Sequence, residues 1–189
     1  TSLPFEMTGA QSRCIAEIRA DLAAARPMNR LLQGDVGSGK TLVAVAAVLL
    51  AVESGCQAAL MAPTQILAEQ HYLVLSRWLE PLGIRIGLRT ANRKGGEEMP
   101  LFEDAPPQVL VGTHALLYGS GEFENLGLVV IDEQHKFGVT QRELLIEQGV
   151  CPDVLVMTAT PIPRTLTLTV YGDLDVSVLD ELPAGRGKI

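Results

Sequence analysis

The sequence predicts an α/β domain with a doubly wound, mainly parallel sheet, and three observations predict it. Short β-type runs recur along the chain, mostly separated by segments long enough for a helix. Two runs, Leu128–Ile131 and Val154–Met157, are wholly apolar, as strands buried on both faces of a parallel sheet are. The glycine-rich segment Gly34–Thr41 joins an apolar strand pattern to an apolar helical run. With 47% apolar residues in 189, we expect one domain over residues 1–189.

The individual elements follow from local pattern and from capping residues. The predicted strands are, in chain order, Arg30–Gln33, Ala58–Ala62, Ile84–Leu88, Val109–Gly112, Leu128–Ile131 and Val154–Met157. The predicted helices are Thr8–Ala25, Lys40–Glu53, Thr64–Leu79 and Thr140–Glu147, the third with Thr64 as its N-cap. Residues 90–107 are polar and rich in glycine, proline and charge, which favours a loop or a short surface helix.

Composition and charge argue against several classes of protein. The longest apolar stretch, Leu42–Val52, is about half of the ~20 residues that a bilayer span requires, so no membrane partner is expected. No signal-peptide pattern is visible, and three isolated cysteines indicate reduced core thiols in a cytoplasmic protein. A formal net charge of −7 argues against a broad basic face for nucleic acid, although it allows a local strand-binding groove.

The segment at residues 34–41 is a complete phosphate-binding loop, which predicts a nucleoside triphosphate with Mg²⁺ as its ligand. Its glycines let the backbone point successive N–H groups at phosphate oxygens. Lys40 is expected to reach the β- and γ-phosphates, and Thr41 to place its hydroxyl on Mg²⁺. A chance glycine-rich turn is disfavoured by the flanking strand and helix. The predicted nucleotide contacts are Gly34, Asp35, Val36, Gly37, Ser38, Gly39, Lys40 and Thr41.

Two acidic residues, Asp132 and Glu133, follow the fifth predicted strand directly. In an open α/β sheet, ligands lie beyond the carboxyl ends of the strands, where a Mg²⁺-nucleotide needs carboxylates. Asp132 is expected to hold the metal, partly through water, and Glu133 to orient the attacking water. The alternative is that the two acidic residues only end a strand and have no catalytic role. Their combination with a phosphate-binding loop in the same chain favours the catalytic role.

The next two residues, Gln134 and His135, are expected to hydrogen-bond across the cleft. There they would sense the γ-phosphate and connect it to the hydroxyls of Thr158–Thr160. A histidine beside carboxylates also suggests zinc, but that site is disfavoured. His71 and His114 are far away in the sequence, no histidine stands four residues on, and the cysteines are isolated.

These motifs, in this order and spacing, resemble those of superfamily 2 helicases and translocases. The resemblance is closer to bacterial ATP-dependent helicases that remodel branched DNA. It implies a RecA-like motor lobe, ATP and Mg²⁺ as cofactors, ATP hydrolysis, branched, single-stranded or double-stranded DNA as partner, and a location on the bacterial nucleoid. The segments that carry it are Met61–Thr64, Leu67–His71, Val111–Leu116, Asp132–Gln141, Thr158–Thr165, Tyr171–Asp175 and Asp180–Pro183.

The resemblance also implies roles for particular residues. Gln11 is expected to hydrogen-bond the adenine base, and the alternative is a helix N-cap at Thr8 followed by a solvent-facing glutamine. The other implied positions hold DNA phosphates through hydroxyls and backbone amides, or couple that contact to the nucleotide. They are Pro63, Thr64, Gly112, Thr113, Thr158 and Thr160.

Family members carry two further parts, a second RecA-like lobe whose arginine completes the ATP site and a wedge domain that splits the junction. Neither is expected in these 189 residues, so weak activity is expected of the chain alone. A related motor, the transcription-repair coupling factor, is the main alternative, although it typically has Glu at the position of Gln134. An RNA helicase is disfavoured by Gln134 and His135. A nucleotide-binding interaction module without catalysis is the alternative of another class.

Overall fold

The computed structural model describes residues 7–90, 106–113, 116, 123–132, 151–160 and 174–181. Seven strands form one sheet, and every pairing in it is parallel. The strands are β1 (Asn29–Gly34), β2 (Gln57–Met61), β3 (Ile86–Arg89), β4 (Val109–Gly112), β5 (Leu126–Asp132), β6 (Asp153–Thr158) and β7 (Asp175–Leu179). The described helices are α1 (Gly9–Leu22), α2 (Lys40–Glu53), α3 (Gln65–Leu79) and a short 3₁₀ turn, Glu80–Leu82.

All six predicted strands are present, and a seventh, β7, was not predicted. This strand, Asp175–Leu179, lies at the edge of the sheet, and Asp175 and Ser177 interrupt the continuous apolar pattern that the inner strands have. Helix α1 ends at Leu22, three residues before the predicted end. The predicted helix at residues 140–147 and most of the predicted loop at 90–107 lie outside the described residues.

Local residues explain where the helices begin. Thr8 and Gln11 form a reciprocal capping box at the start of α1, in which each side chain bonds the other's backbone N–H. Thr64 caps α3 as predicted, since its hydroxyl accepts from the Leu67 N–H at 3.3 Å. Among the described helices, none is long and apolar enough to span a bilayer.

The order across the sheet is β3-β4-β2-β5-β6-β1-β7. Neighbouring residues of one strand belong to opposite faces: Val129 and Ile131 pack in one apolar cluster, and Leu128 and Val130 in the other. Both faces of the sheet are therefore buried at its centre, as the apolar runs predict. Because the strands are parallel, their carboxyl ends meet at one edge of the sheet, where the predicted site residues gather.

Candidate functional site

The phosphate-binding loop connects β1 to α2 as the motif predicts. Gly34 is the last residue of β1, and Lys40 and Thr41 are the first two residues of α2. Gly37 and Gly39 have φ of 85° and 88°, the left-handed region that glycine adopts without strain. The Lys40 ammonium donates to the carbonyl oxygens of Gly34, at 2.7 Å, and Asp35, at 3.0 Å. The cation thus lies inside the loop, where a phosphate group would meet it.

Other residues of the loop differ in exposure. Asp35 and Val36 are exposed, Val36 by 81%. Ser38 is 1% exposed, and its hydroxyl oxygen has no hydrogen-bond partner within the described part of the chain. A buried hydroxyl of this kind gains stability when a polar ligand reaches it. The loop is therefore chemically suited to an anionic, hydrogen-bonding ligand.

Gln11 is buried against this loop, with 2% of its surface exposed. Its side-chain N–H donates to the Ser38 carbonyl at 3.0 Å, while its side-chain oxygen accepts from the Thr8 N–H at 3.0 Å. The N-cap at Thr8 is thus correct, but the alternative of a solvent-facing glutamine is wrong. The amide connects α1 to the phosphate loop, and its contact with an adenine base stays a prediction.

The segment after β7 also packs against α1. The Glu181 carboxylate accepts from the Ala10 N–H at 3.2 Å, near the helix N-terminus where a negative charge is favourable. Arg13 donates to Asp180 at 2.9 Å and to the Val178 carbonyl at 3.0 Å. This bond to the Arg13 guanidinium lowers the pKa of Asp180 below its ordinary value. Helix α1 therefore contacts both the phosphate loop and the segment that leaves the sheet.

Asp132 is the last residue of β5, two strands away from β1, and its side chain is 13% exposed. Its Oδ2 atom lies 2.6 Å from Nε2 of His71, which is 11% exposed. The sequence pattern does not predict this contact, because 61 residues separate the two and the order of strands is not encoded in local pattern. His71 belongs to the helix after β2, and the pairing of β2 with β5 is visible only in the folded sheet, so the sequence carries no signal for this contact.

Three predicted catalytic residues, Glu133, Gln134 and His135, lie outside the described residues. The hydroxyls they were expected to face are described. Thr158 ends β6, the strand between β5 and β1, and its Oγ1 lies 2.9 Å from Oγ1 of Thr160. The Thr160 N–H also donates to Thr158 Oγ1, so these residues form a local hydroxyl turn. This turn lies between the phosphate loop and the end of β5.

The four predicted DNA-contact residues also gather at one edge. Pro63 and Thr64 follow β2. In the neighbouring strand β4, Gly112 is the last residue, and Thr113 comes directly after it. Thr64 is exposed, whereas Thr113 is buried. A Cβ atom at Gly112 would lie 2.2 Å from the Arg89 carbonyl oxygen, so packing against β3 alone requires glycine there. DNA contact by these residues stays a prediction.

Comparison with known proteins gives the family. The family model described as DEAD/DEAH box helicase matches residues 8–169. The chain belongs to the DEAD/DEAH box helicase family. This helicase domain is 53% identical to the ATP-dependent DNA helicase RecG of Aquifex aeolicus, over 99% of the chain and 24% of that protein. It is 54% identical to the RecG of Bacillus subtilis strain 168, over 100% of the chain and 28% of that protein.

Solved structures support the same fold. The domain matches a structure described as RecG bound to a three-way DNA junction, with a TM-score of 0.83 and 46% sequence identity. The match covers 99% of this chain and 25% of that one. The predictions of the α/β fold and of a domain of the helicase family are confirmed. The helicase domain spans about a quarter of the length of the relatives it matches.

Proposed function

We propose that this domain is the ATP-binding lobe of an ATP-dependent DNA helicase or translocase that remodels branched DNA in recombination and repair. One observation carries the proposal: a phosphate loop and Asp132 stand at strand ends of one sheet edge, in a chain about half identical to RecG helicases. Its substrates would be stalled forks and Holliday junctions, and its place the bacterial cytoplasm at the nucleoid. The reaction would be ATP and water to ADP and phosphate.

The residues fit a Mg²⁺-nucleotide. Thr41 and Asp132 offer a hydroxyl and a carboxylate, the hard oxygen ligands that Mg²⁺ prefers. Magnesium would neutralise charge that develops on the transferred phosphoryl group. Lys40 would bind the β- and γ-phosphates from within the loop, and the backbone N–H groups of the loop would bind the rest. Glu133 would orient the attacking water, and Gln11 would contact the base.

The DNA path in this proposal crosses the ends of β2 and β4. Thr64 at the start of α3 and the backbone beside Gly112 would bind phosphates, which position a strand without reading its sequence. A second lobe and a wedge domain would complete the machine. An arginine supplied by the second lobe is worth roughly 10³–10⁵ in rate in related NTPases.

A binding experiment tests the nucleotide part. A fluorescent ATP analogue should bind the chain in the presence of Mg²⁺, and Lys40→Ala should abolish that binding because the phosphate cation is lost. Glu133→Gln should bind as the wild type does, since it alters the water-orienting group alone. The chain by itself should show little DNA-stimulated hydrolysis. Absence of Mg²⁺-ATP binding by the wild type, or helicase-like turnover from the chain alone, would contradict the proposal.

A second experiment separates the alternatives. The full-length gene product should unwind a three-way junction and lose that activity with Glu133→Gln. If cells that carry Glu133→Gln keep every activity of the gene, the domain is a nucleotide-binding module without catalysis. Capture of RNA polymerase together with failure on junctions would indicate the coupling factor.

A further inference from the structure

The contact between His71 and Asp132 joins two parts of the proposed motor. His71 lies about two turns into α3, the helix that begins at the Thr64 cap beside the proposed DNA path. Asp132 lies at the end of β5, on the side of the proposed metal. Because β2 pairs with β5, with Met61 opposite Ile131, the segment that follows β2 begins beside the end of β5. Helix α3 itself packs mainly against β3 and β4, and the His71 side chain reaches Asp132 from it.

The chemistry of the contact defines the roles of its atoms. An ionised carboxylate only accepts hydrogen bonds, so Nε2 of His71 must carry the proton and donate to Oδ2. A bond of 2.6 Å between two groups that are each almost nine-tenths buried is short, as bonds to charged acceptors are. It uses Oδ2, and the carboxylate has a second oxygen with which to approach a metal or its water. The bond therefore fixes the orientation in which Asp132 meets the nucleotide site.

We propose that His71 is a positioning residue that orients Asp132 and couples it to the DNA-facing helix α3. The inference rests on the proposed function, since it assigns DNA to the start of α3 and Mg²⁺ to Asp132. A shift of α3 when a strand binds at Thr64 would move the imidazole, and with it the carboxylate. DNA binding would thereby promote the aligned state of the metal-side acid.

A buried histidine that only stabilises the fold would have different consequences, so the variants must separate them. His71→Leu removes the donor and keeps an apolar side chain of similar bulk. His71→Gln places an amide N–H near the position of Nε2, whereas His71→Asn places one near Nδ1 and falls short. Gln70→Leu, at the exposed neighbouring position on α3, is the matched control.

The test measures ATP hydrolysis by the full-length gene product with and without junction DNA. In His71→Leu, kcat at saturating DNA should fall about 10–100-fold, the usual cost of losing a group that orients a ligand of the metal. KM for ATP should change less than about three-fold, because the phosphate loop is intact. His71→Gln should restore most of the DNA stimulation, His71→Asn should not, and Gln70→Leu should match the wild type.

One further measurement and the comparison of two variants keep the inference falsifiable. In the ligand-free chain, the ¹⁵N spectrum of the His71 ring should report the Nε2–H tautomer; the Nδ1–H tautomer would overturn the proposal. If His71→Leu fails to fold, the proposal is tested by comparing His71→Gln with His71→Asn, and equal stimulation of ATP hydrolysis by DNA in the two would overturn it. If His71→Leu folds and DNA stimulates its ATP hydrolysis as much as that of the wild type, the proposal is also overturned. If the wild type neither binds Mg²⁺-ATP nor hydrolyses it, the proposed function fails instead.

Discussion

The substitution Gly39→Ala tests how the phosphate loop and α1 fit together. Gly39 has φ of 88°, and a Cβ atom there would lie 2.2 Å from Nε2 of Gln11. The methyl group would therefore meet the amide that donates to the Ser38 carbonyl. Two separate costs are expected, one from the backbone and one from the displaced amide.

The magnitude follows from those two costs. An L-residue in the left-handed region costs about 1–2 kcal/mol relative to glycine. Displacing Gln11 breaks a buried hydrogen bond and leaves the Ser38 carbonyl without it, which costs about 1–3 kcal/mol. The free energy of unfolding should therefore fall by about 2–5 kcal/mol. Gly55→Ala should lose about 1–2 kcal/mol only, since Gly55 has φ of 81° with no atom within 4 Å of an added Cβ.

Urea unfolding followed by circular dichroism measures these values, and a double-mutant cycle isolates the contact. In a Gln11→Ala background the amide is gone, so Gly39→Ala should cost no more than Gly55→Ala does. The two changes should then be non-additive by about 1–3 kcal/mol. If they add to within about 0.5 kcal/mol, as independent sites do, the Gln11 amide does not limit the side chain at position 39.

Three further outcomes are expected. Chelation of Mg²⁺ should weaken ATP binding to the wild type more than to Thr41→Val, which lacks the metal-facing hydroxyl. If fluorescence titration shows that chelation raises the dissociation constant for ATP by the same factor in both proteins, that role is contradicted. Arg30→Met should lower the free energy of unfolding by about 2–3 kcal/mol, because the Arg30 side chain, 10% exposed, donates hydrogen bonds to two partly exposed carboxylates. Arg26→Met removes one partner of an exposed ion pair, so its free energy of unfolding should stay within about 1 kcal/mol of the wild-type value. If urea unfolding gives similar losses for Arg30→Met and Arg26→Met, the comparison is refuted. Cys151 is exposed, so the prediction of a core thiol is wrong for it, and it should react promptly with a thiol reagent. Cys14 is buried, and burial raises its pKa so that less thiolate forms at a given pH. Prompt labelling of Cys14 before unfolding would count against its burial.

Local pattern accounts for most of the fold. Continuous apolar runs predict the inner strands, and the loop motif predicts the turn from β1 into α2, because both are specified by neighbouring residues. The edge strand β7 escaped prediction since two of its five residues, Asp175 and Ser177, are polar and interrupt the apolar run. It packs against β1 through pairing that only the folded chain reveals.

The candidate site was predictable in its local parts and not in its distant contacts. The phosphate loop lies where its motif puts it, and Asp132 ends its strand. The bond from His71 to Asp132 depends on β2 lying beside β5, and the burial of Gln11 depends on α1 packing on the loop. Contacts of this kind arise from the order of strands, which amino-acid periodicity does not carry.

The strand order also governs how the chain is made. β1 lies between β6 and β7, which begin about 120 and 140 residues after β1 ends. At roughly 5–20 residues per second, a ribosome needs roughly 6–24 s to supply the first of these partners. Until then β1 has no neighbour within its own sheet, and a strand with open backbone groups pairs readily with other chains. β1 is therefore an unpaired strand for that time, and the phosphate loop that follows it gains a neighbouring strand end only once β6 has been made.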